Sequence, residues 1–392
     1  MLFQLPRNVW ILTASLALFM SLSVFVIFLG GIIGSELSPV QSLSTLPVTL
    51  IVAGTVSSIV PVNALMGKLG RRPVFLGVCV YVLLVLALAV IALQLESFML
   101  FCLSTFLLGL STATMNQFRF AAIESVGPDL SASAASAVLI GGLASAFLGP
   151  ELATLGQHLF EVRFVGSFVL IGFCFVLAFV LLWFYQPITA SAEEATKPSR
   201  PLTEIAKQKV FIVAMSSAAV GYVVMSYIMT ATPMSMHVID GFSLAQTKMV
   251  IQSHVVAMFL PSLFTPWVVR LIGVSKMMLT GVVLYFVCVA VALVDHMLLH
   301  YWVSLVLLGV GWNFLFIGGT SLLPRAYHEH EKYRVQSVND LLIFGMQAIA
   351  SLSAGWFVFN FGWEVVQLSV IPVLLLQLLI LIWWLKTRVA KS

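Results

Sequence analysis

Long apolar stretches recur about twelve times along this chain, and one polar, charge-rich break near the middle divides them six and six. A helix needs roughly 20 apolar residues to cross the ~30 Å hydrocarbon core of a bilayer. Stretches of that length lie at 9–33, 46–67, 73–94, 98–121, 131–156 and 164–185, then at 210–236, 246–269, 275–295, 299–322, 335–358 and 363–385. They are numbered here as spans one to twelve. The break holds Glu193, Glu194, Lys197, Arg200, Glu204, Lys207 and Lys209. A β-barrel would instead show segments of about ten residues in strict alternation. The expected fold is an all-α membrane protein, with twelve transmembrane helices in two pseudo-symmetric six-helix bundles. Residues 1–189 form the N-terminal bundle, 190–209 a cytoplasmic linker and 210–392 the C-terminal bundle.

Of 392 residues, 61% are hydrophobic and 9% charged, with a mean hydropathy of +1.09. A soluble domain would carry about a quarter charged residues. Arg7 precedes an apolar run too long for a signal peptide and without an A-x-A site, so span one is expected to stay. Cys79, Cys102, Cys174 and Cys288 all fall inside spans, so neither a disulfide framework nor metal spacing is indicated. Small buried hydrophobes are the expected role for all four.

Orientation follows from the tendency of Lys and Arg to stay on the cytoplasmic side. With the N-terminus inside, one face collects Arg7; Lys68, Arg71, Arg72; Lys197, Arg200, Lys207, Lys209; Arg270, Lys276; Arg325, Lys332, Arg334; and Lys386, Arg388, Lys391. With Arg119 at the inner end of span four, that accounts for 17 of 19 basic residues, leaving Arg163 and Lys248 outside. Both termini and the linker are therefore expected to be cytoplasmic, in the bacterial inner membrane. The net charge of +4 is spread along a membrane face, so no nucleic-acid partner is expected.

The halves repeat one another. Leu107-Leu108-Gly109 in span four recurs as Leu307-Leu308-Gly309 in span ten, and Gly77-Val-Cys-Val-Tyr81 in span three as Gly281-Val-Val-Leu-Tyr285 in span nine. The offsets, 200 and 204, are nearly in register. Duplicated six-helix halves are an architecture of secondary transporters, in which a solute sits near the midplane between halves that rock.

The loop after span two reads Asn63-Ala-Leu-Met-Gly67-Lys68-Leu69-Gly70-Arg71-Arg72-Pro73. Here the chain resembles the major facilitator superfamily, whose hallmark in this loop is G-x-x-x-D-R-x-G-R-R. Gly70, Arg71 and Arg72 match its G-R-R, and Lys68 stands where it has Arg. Asn63 replaces its first Gly and Gly67 its Asp. The resemblance implies that these arginines pair with acids near the inner ends of neighbouring helices, and the missing Asp points to substitutes. Glu124, after span four, and Asp340, early in span eleven, are the candidates, with Arg71 or Arg72 expected on Glu124 and Arg119 on Asp340. A role as topology anchors alone is the other reading of the two arginines.

An ionisable group at a lipid-facing helix centre costs ~2.5–3.5 kcal/mol or more, so the few present are functional candidates. Arg119 sits in Asn116-Gln117-Phe118-Arg119-Phe120, where a snorkelling end residue is the alternative. Glu151 follows Gly149-Pro150 in span five. That Gly-Pro resembles the core of the family's antiporter motif, but Ser145, Ala153 and Thr154 stand where glycines are wanted. A wet outer vestibule would equally suit Glu151. In the C-terminal half, Gln252 and His254 fall in span eight, Trp312 and Asn313 midway along span ten, and Tyr222 and Tyr227 in span seven. Rings beside amides suit a planar, hydrogen-bonding solute. Helix–helix packing is the competing role for Trp312 and Asn313, and a hydrogen-bonded core histidine for His254. Methionines crowd spans seven and eight as flexible packing.

His328-Glu329-His330-Glu331 alternates and lacks the H-E-x-x-H spacing, so no metal is expected. No P-loop, nucleophile elbow or dinucleotide fingerprint is present, so no cofactor and no enzymatic activity are expected. Several strings, namely Arg119-Phe120-Ala121-Ala122, Gly149-Pro150-Glu151-Leu152, Gln252-Ser253-His254-Val255, Gly311-Trp312-Asn313-Phe314 and Gln336-Ser337-Val338-Asn339-Asp340, look like a bacterial facilitator branch that includes riboflavin importers of alphaproteobacteria. The implied function is a monomeric secondary transporter of a small organic solute, leaning to riboflavin or a similar nutrient, with protons as a candidate coupling ion. The alternatives are a proton-coupled drug or metabolite exporter and, more remotely, a transporter-like sensor. Thr105, where the drug antiporters carry an arginine in span four, argues against the exporter.

Overall fold

The computed structural model describes residues 5–39, 43, 46–187 and 199–389. Glu193, Glu194, Lys197 and Lys391 lie outside the described residues. Every span is helical, because backbone N–H and C=O groups in hydrocarbon must be bonded within their own segment. Eleven helices among the described residues are long and apolar enough to cross a membrane. The twelfth span is supplied by the shorter apolar stretch Met249–Leu263.

The chain clusters into two compact units, one from Leu2–Pro128 and Ala137–Thr189, the other from Ala190–Ser392 together with Asp129–Ser136. In the first, the spans are Arg7–Leu37, Leu46–Leu69, Arg71–Gln94, Phe98–Met115 continued by Phe118–Glu124, the part of Ser131–Leu155 from Ala137 onward, and Val165–Trp183. In the second they are Lys209–Pro233, Leu244–Phe259, Thr265–Ala292, Leu298–Leu322, Lys332–Ser369 and Ile371–Val389.

The expected helices are interrupted or reshaped at five places. Span four is interrupted at Asn116–Gln117 before Phe118–Glu124 resumes. Span seven widens after Pro233 into a π-turn, Met234–Ile239, where the proline ring crowds the carbonyl four residues back. Span eight breaks at the 3-10 turn Leu260–Leu263, around Pro261, and resumes at Thr265. Spans eight and nine then follow with a single non-helical residue between them, Gly273, at φ 79°. Gly362, at φ 83°, does the same between spans eleven and twelve.

Gly70 makes the matching reversal between spans two and three at φ 83°. Gly273 lies 203 positions after Gly70, between the 200 and 204 offsets of the repeated strings. Only glycine adopts this backbone without strain, so the G-R-R turn and its counterpart share one geometry.

The N-terminal bundle packs around rings at close to edge-on angles. Phe118 lies 5.0 Å from Phe19 and 4.8 Å from Phe75 between centroids. Phe25 and Phe168 are 5.1 Å apart. Such pairs contribute ~0.5–1.5 kcal/mol each beyond their buried area, and they fix the helix ends that carry the charges described next.

Candidate functional site

At the end of the N-terminal bundle that carries the basic loops, Arg71 opens span three immediately after the Gly70 reversal. Its side chain is 2% exposed. Arg71 Nε donates to Glu124 Oε2 at 2.9 Å and Nη2 to Glu124 Oε1 at 2.6 Å. Nη1 donates to Gln117 Oε1 at 3.2 Å. The interruption of span four turns Gln117 toward this guanidinium, and the short helix behind it ends on Glu124. Of the two arginines, Arg71 is therefore the one on Glu124. Arg72 instead donates to the Trp183 carbonyl at 2.5 Å, closing the end of span six, with its guanidinium 5.3 Å from the Trp183 ring centroid.

Arg119 is buried, its guanidinium 4.6 Å from the centroid of Phe120. Asp340 is buried and accepts from the Asn339 amide at 3.1 Å. Glu151 is exposed at its end of span five.

In the C-terminal bundle, Trp312 stacks on Phe316 at 5.1 Å with the planes 17° apart. Tyr222 meets both edge-on, at 5.3 and 4.9 Å, and also Phe344 at 5.1 Å. Phe259, the last residue before the span-eight break, closes on Trp312 at 5.7 Å. Spans seven, eight, ten and eleven thus contribute to one ring cluster. Trp312 Nε1 is buried there without a protein hydrogen-bond partner.

Asn313 points elsewhere. Its amide nitrogen donates to the Met258 carbonyl and to Ser262 Oγ, both at 2.7 Å, and its oxygen accepts from Thr265 Oγ1 at 3.1 Å. Both N–H groups are thus taken inside the bundle. The amide thus holds the broken turn of span eight, while the Trp312 ring lies in the aromatic cluster. Adjacent helical residues point about 100° apart, so ring and amide serve different neighbours.

His254 is fully buried, with Nδ1 2.8 Å from the Leu305 carbonyl and Nε2 without a protein partner. Gln252, two residues earlier, is exposed. Tyr227 lies five residues, or about 140°, around the helix from Tyr222. It receives the Ser369 hydroxyl at 3.4 Å and meets Phe357 at 5.8 Å. The structure therefore brings Tyr222 and Trp312 together and leaves Tyr227 and Gln252 on other faces.

Gln117, Ser262, Thr265, Phe316 and Phe344 take part without having been singled out in the sequence. A proline flanked by hydroxyl residues inside an apolar span, Pro261-Ser262 followed by Thr265, is the signal that marks the last turn of this polar break.

The C-terminal bundle also carries a tie at its basic end. Arg200 Nε donates to Glu331 Oε1 at 2.9 Å and Nη2 to Oε2 at 2.6 Å, and the Arg200 backbone N–H donates to Oε1 at 3.0 Å. The Glu331 carboxylate raises the Arg200 pKa above its ordinary value. Among the described residues, no group of three or more His, Cys, Asp or Glu is placed to hold a metal ion.

The repeated glycines test the duplication directly. A Cβ on Gly109 would meet the Thr55 backbone nitrogen at 2.3 Å, and one on Gly309 would meet the His254 carbonyl at 2.7 Å and the Ala257 carbonyl carbon at 2.9 Å. Span four thus closes on span two as span ten closes on span eight. The second repeated string diverges in its contacts. The Tyr81 hydroxyl donates to Leu107 in span four, and that of Tyr285 to Gly221 in span seven.

Comparison with known proteins agrees with this architecture. The Major Facilitator Superfamily profile matches residues 11–259 and 233–392. The riboflavin transporter RfnT of Brucella anthropi is 34% identical over 389 residues, 98% of each chain. The uncharacterized MFS-type transporter YddS of Bacillus subtilis is 26% identical over 93% of this chain and 88% of its own length. Among solved structures, the human organic anion transporter MFSD10 superposes with a TM-score of 0.77 at 14% identity, covering 96% of this chain and 99% of that one. A bacterial homologue of the iron transporter ferroportin, in an outward-facing state, gives 0.71 at 15% identity over 97% and 100%. At such identities the structures speak to the fold alone. From profile, relatives and fold together, the chain belongs to the Major Facilitator Superfamily and is a multi-pass membrane transporter.

Proposed function

We propose that this transporter imports riboflavin or a similar planar vitamin across the bacterial inner membrane by alternating access, as a monomer with both termini and the 190–209 linker cytoplasmic. The observation that carries the proposal is the likeness to the Brucella anthropi riboflavin transporter along essentially the whole chain. The ring cluster adds support. Tyr222 and Trp312 offer aromatic faces to a tricyclic solute, and Trp312 Nε1 and His254 Nε2, both buried without a protein partner, offer polar atoms for its edges. Gln252 and Tyr227 complete the proposed set from neighbouring faces, and Asn313 acts through the turn it holds. Arg71 and Glu124 are the proposed latch of the N-terminal bundle, with Arg72, Arg119, Glu151 and Asp340 as coupling groups.

The test is rescue of a riboflavin auxotroph by this gene at limiting vitamin, together with uptake of labelled riboflavin into proteoliposomes. Rescue and saturable uptake are expected. A chain that reaches the membrane but neither rescues nor binds any flavin removes the vitamin reading and leaves the family assignment standing. Faster loss of a preloaded compound from expressing cells would favour the exporter.

A further inference from the structure

At the end of the C-terminal bundle opposite its basic loops, four segments converge on one imidazole. Span seven ends in the π-turn Met234–Ile239, capped by Asp240. His296 stands in the short connection between spans nine and ten. Its Nδ1 lies 3.3 Å from Asp240 Oδ1 and 3.2 Å from Oδ2, and its Nε2 lies 3.2 Å from Glu364 Oε1 at the start of span twelve. Tyr301, in span ten, donates its hydroxyl to Asp240 Oδ2 at 2.7 Å and lies 2.5 Å from Ser235 Oγ. Asp295 accepts the His296 backbone N–H at 2.7 Å. The titratable groups around the imidazole are thus Asp240 from span seven, Asp295 from its own loop, Tyr301 from span ten and Glu364 from span twelve.

Counting hydrogens decides what this arrangement holds. A neutral imidazole has one N–H, and ionised carboxylates have none. Both ring nitrogens here face carboxylate oxygens, so the group is one proton short unless it binds one more. Tyr301 cannot supply it, since its hydroxyl already donates to Asp240. Water reaches the site, because the His296 side chain is 35% exposed and that of Glu364 55%.

We infer that Asp240, His296 and Glu364 form a proton-binding site whose occupation ties the far end of span seven to span twelve and to the loop between spans nine and ten. With the extra proton, an imidazolium bridges two carboxylates. Without it, one ring nitrogen faces a carboxylate with no hydrogen between them, and two negative charges flank a neutral ring. The tie holds while the proton is bound and lapses when it leaves, so acidity favours it. Its mechanical consequence falls on span seven, because the π-turn after Pro233 joins Asp240 to the helix carrying Tyr222.

The experiment uses the full chain in lipid nanodiscs, with the four buried native cysteines replaced. Spin labels go on Ile239→Cys and Phe361→Cys, two exposed positions at the ends of spans seven and eleven. A single short-distance population is expected at pH 5.5 and a longer one in addition at pH 8.0. In His296→Gln, and separately in Glu364→Gln at an exposed position that folding tolerates, the distribution is expected to be the same at both pH values. A wild type with no pH response, or a response unchanged in either variant, overturns the proposal. No solute is needed for this readout, so its failure is distinguishable from failure of the vitamin reading.

Discussion

Arg71 and Glu124 meet as a two-pronged ion pair, 2.9 and 2.6 Å long, with the guanidinium almost wholly enclosed. The planar fork of arginine matches a carboxylate in a way that the point charge of lysine does not. Gln117 occupies a third donor. The family's usual acid in this loop is replaced by Gly67, and Glu124, from the end of span four, supplies the negative charge instead.

Glu124→Gln leaves that guanidinium enclosed without its counter-charge. Losing one partner of a buried pair costs about 3–5 kcal/mol, and the partial exposure of Glu124, 16%, places the expected loss at the lower end. Thermal unfolding in detergent measures it. Arg72→Gln is the control and is expected to cost far less, because Arg72 meets only a carbonyl and an exposed ring. Equal losses in the two variants would remove the special role of Arg71.

Asn313→Ala strips three hydrogen bonds from the broken turn of span eight and leaves the Met258 carbonyl and the Ser262 hydroxyl enclosed. Unsatisfied buried groups cost about 1–3 kcal/mol. A residue that positions the turn predicts that Thr265→Val, which touches no solute in the proposed site, lowers stability and solute affinity in the same direction as Asn313→Ala. An affinity loss confined to Asn313→Ala would instead make the amide a direct contact.

Which parts of this molecule were legible in the sequence follows from how local their causes are. Span number could be read because a bilayer demands a minimum apolar length. The Arg71–Glu124 pair was within reach because few acids lie near that loop. Trp312 and Asn313 are neighbours in sequence, yet the helix turns them to different partners. The span-eight break followed Pro261, which sits in an apolar run and carries little weight in a hydropathy pattern. Asp240, His296, Tyr301 and Glu364 share no spacing at all, and only the packing of spans seven, ten and twelve joins them.

The repeated Leu-Leu-Gly strings predict matched sensitivities in the two bundles. Gly109→Ala drives a methyl into the backbone of span two, and Gly309→Ala one into the backbone of span eight. Overpacking of this kind costs typically 1–3 kcal/mol, with the larger loss expected at Gly109, where the approach is closer. Gly77→Ala, in the other repeated string, meets open space and is expected to be neutral or slightly stabilising, since alanine favours the helix by up to about 1 kcal/mol. Unfolding midpoints of the three variants decide the order.

The ring cluster makes the sharpest statement about transport. Trp312 is buried against Phe316 and Phe259, so Trp312→Ala would lose core packing together with any solute contact, and its effect would be ambiguous. Tyr222 is less enclosed and meets its neighbours by edges, which leaves it the better probe. If its ring stacks on a flavin, Tyr222→Phe keeps the face and is expected to keep affinity. Tyr222→Leu keeps apolar volume but removes the π-face, worth about 0.5–1.5 kcal/mol, or roughly a 2- to 10-fold rise in Kd. Flavin fluorescence quenching on the purified transporter reads this directly, with thermal unfolding of the same samples as the check on folding. A Tyr222→Leu protein that is stable and binds riboflavin as tightly as wild type would place the solute away from span seven.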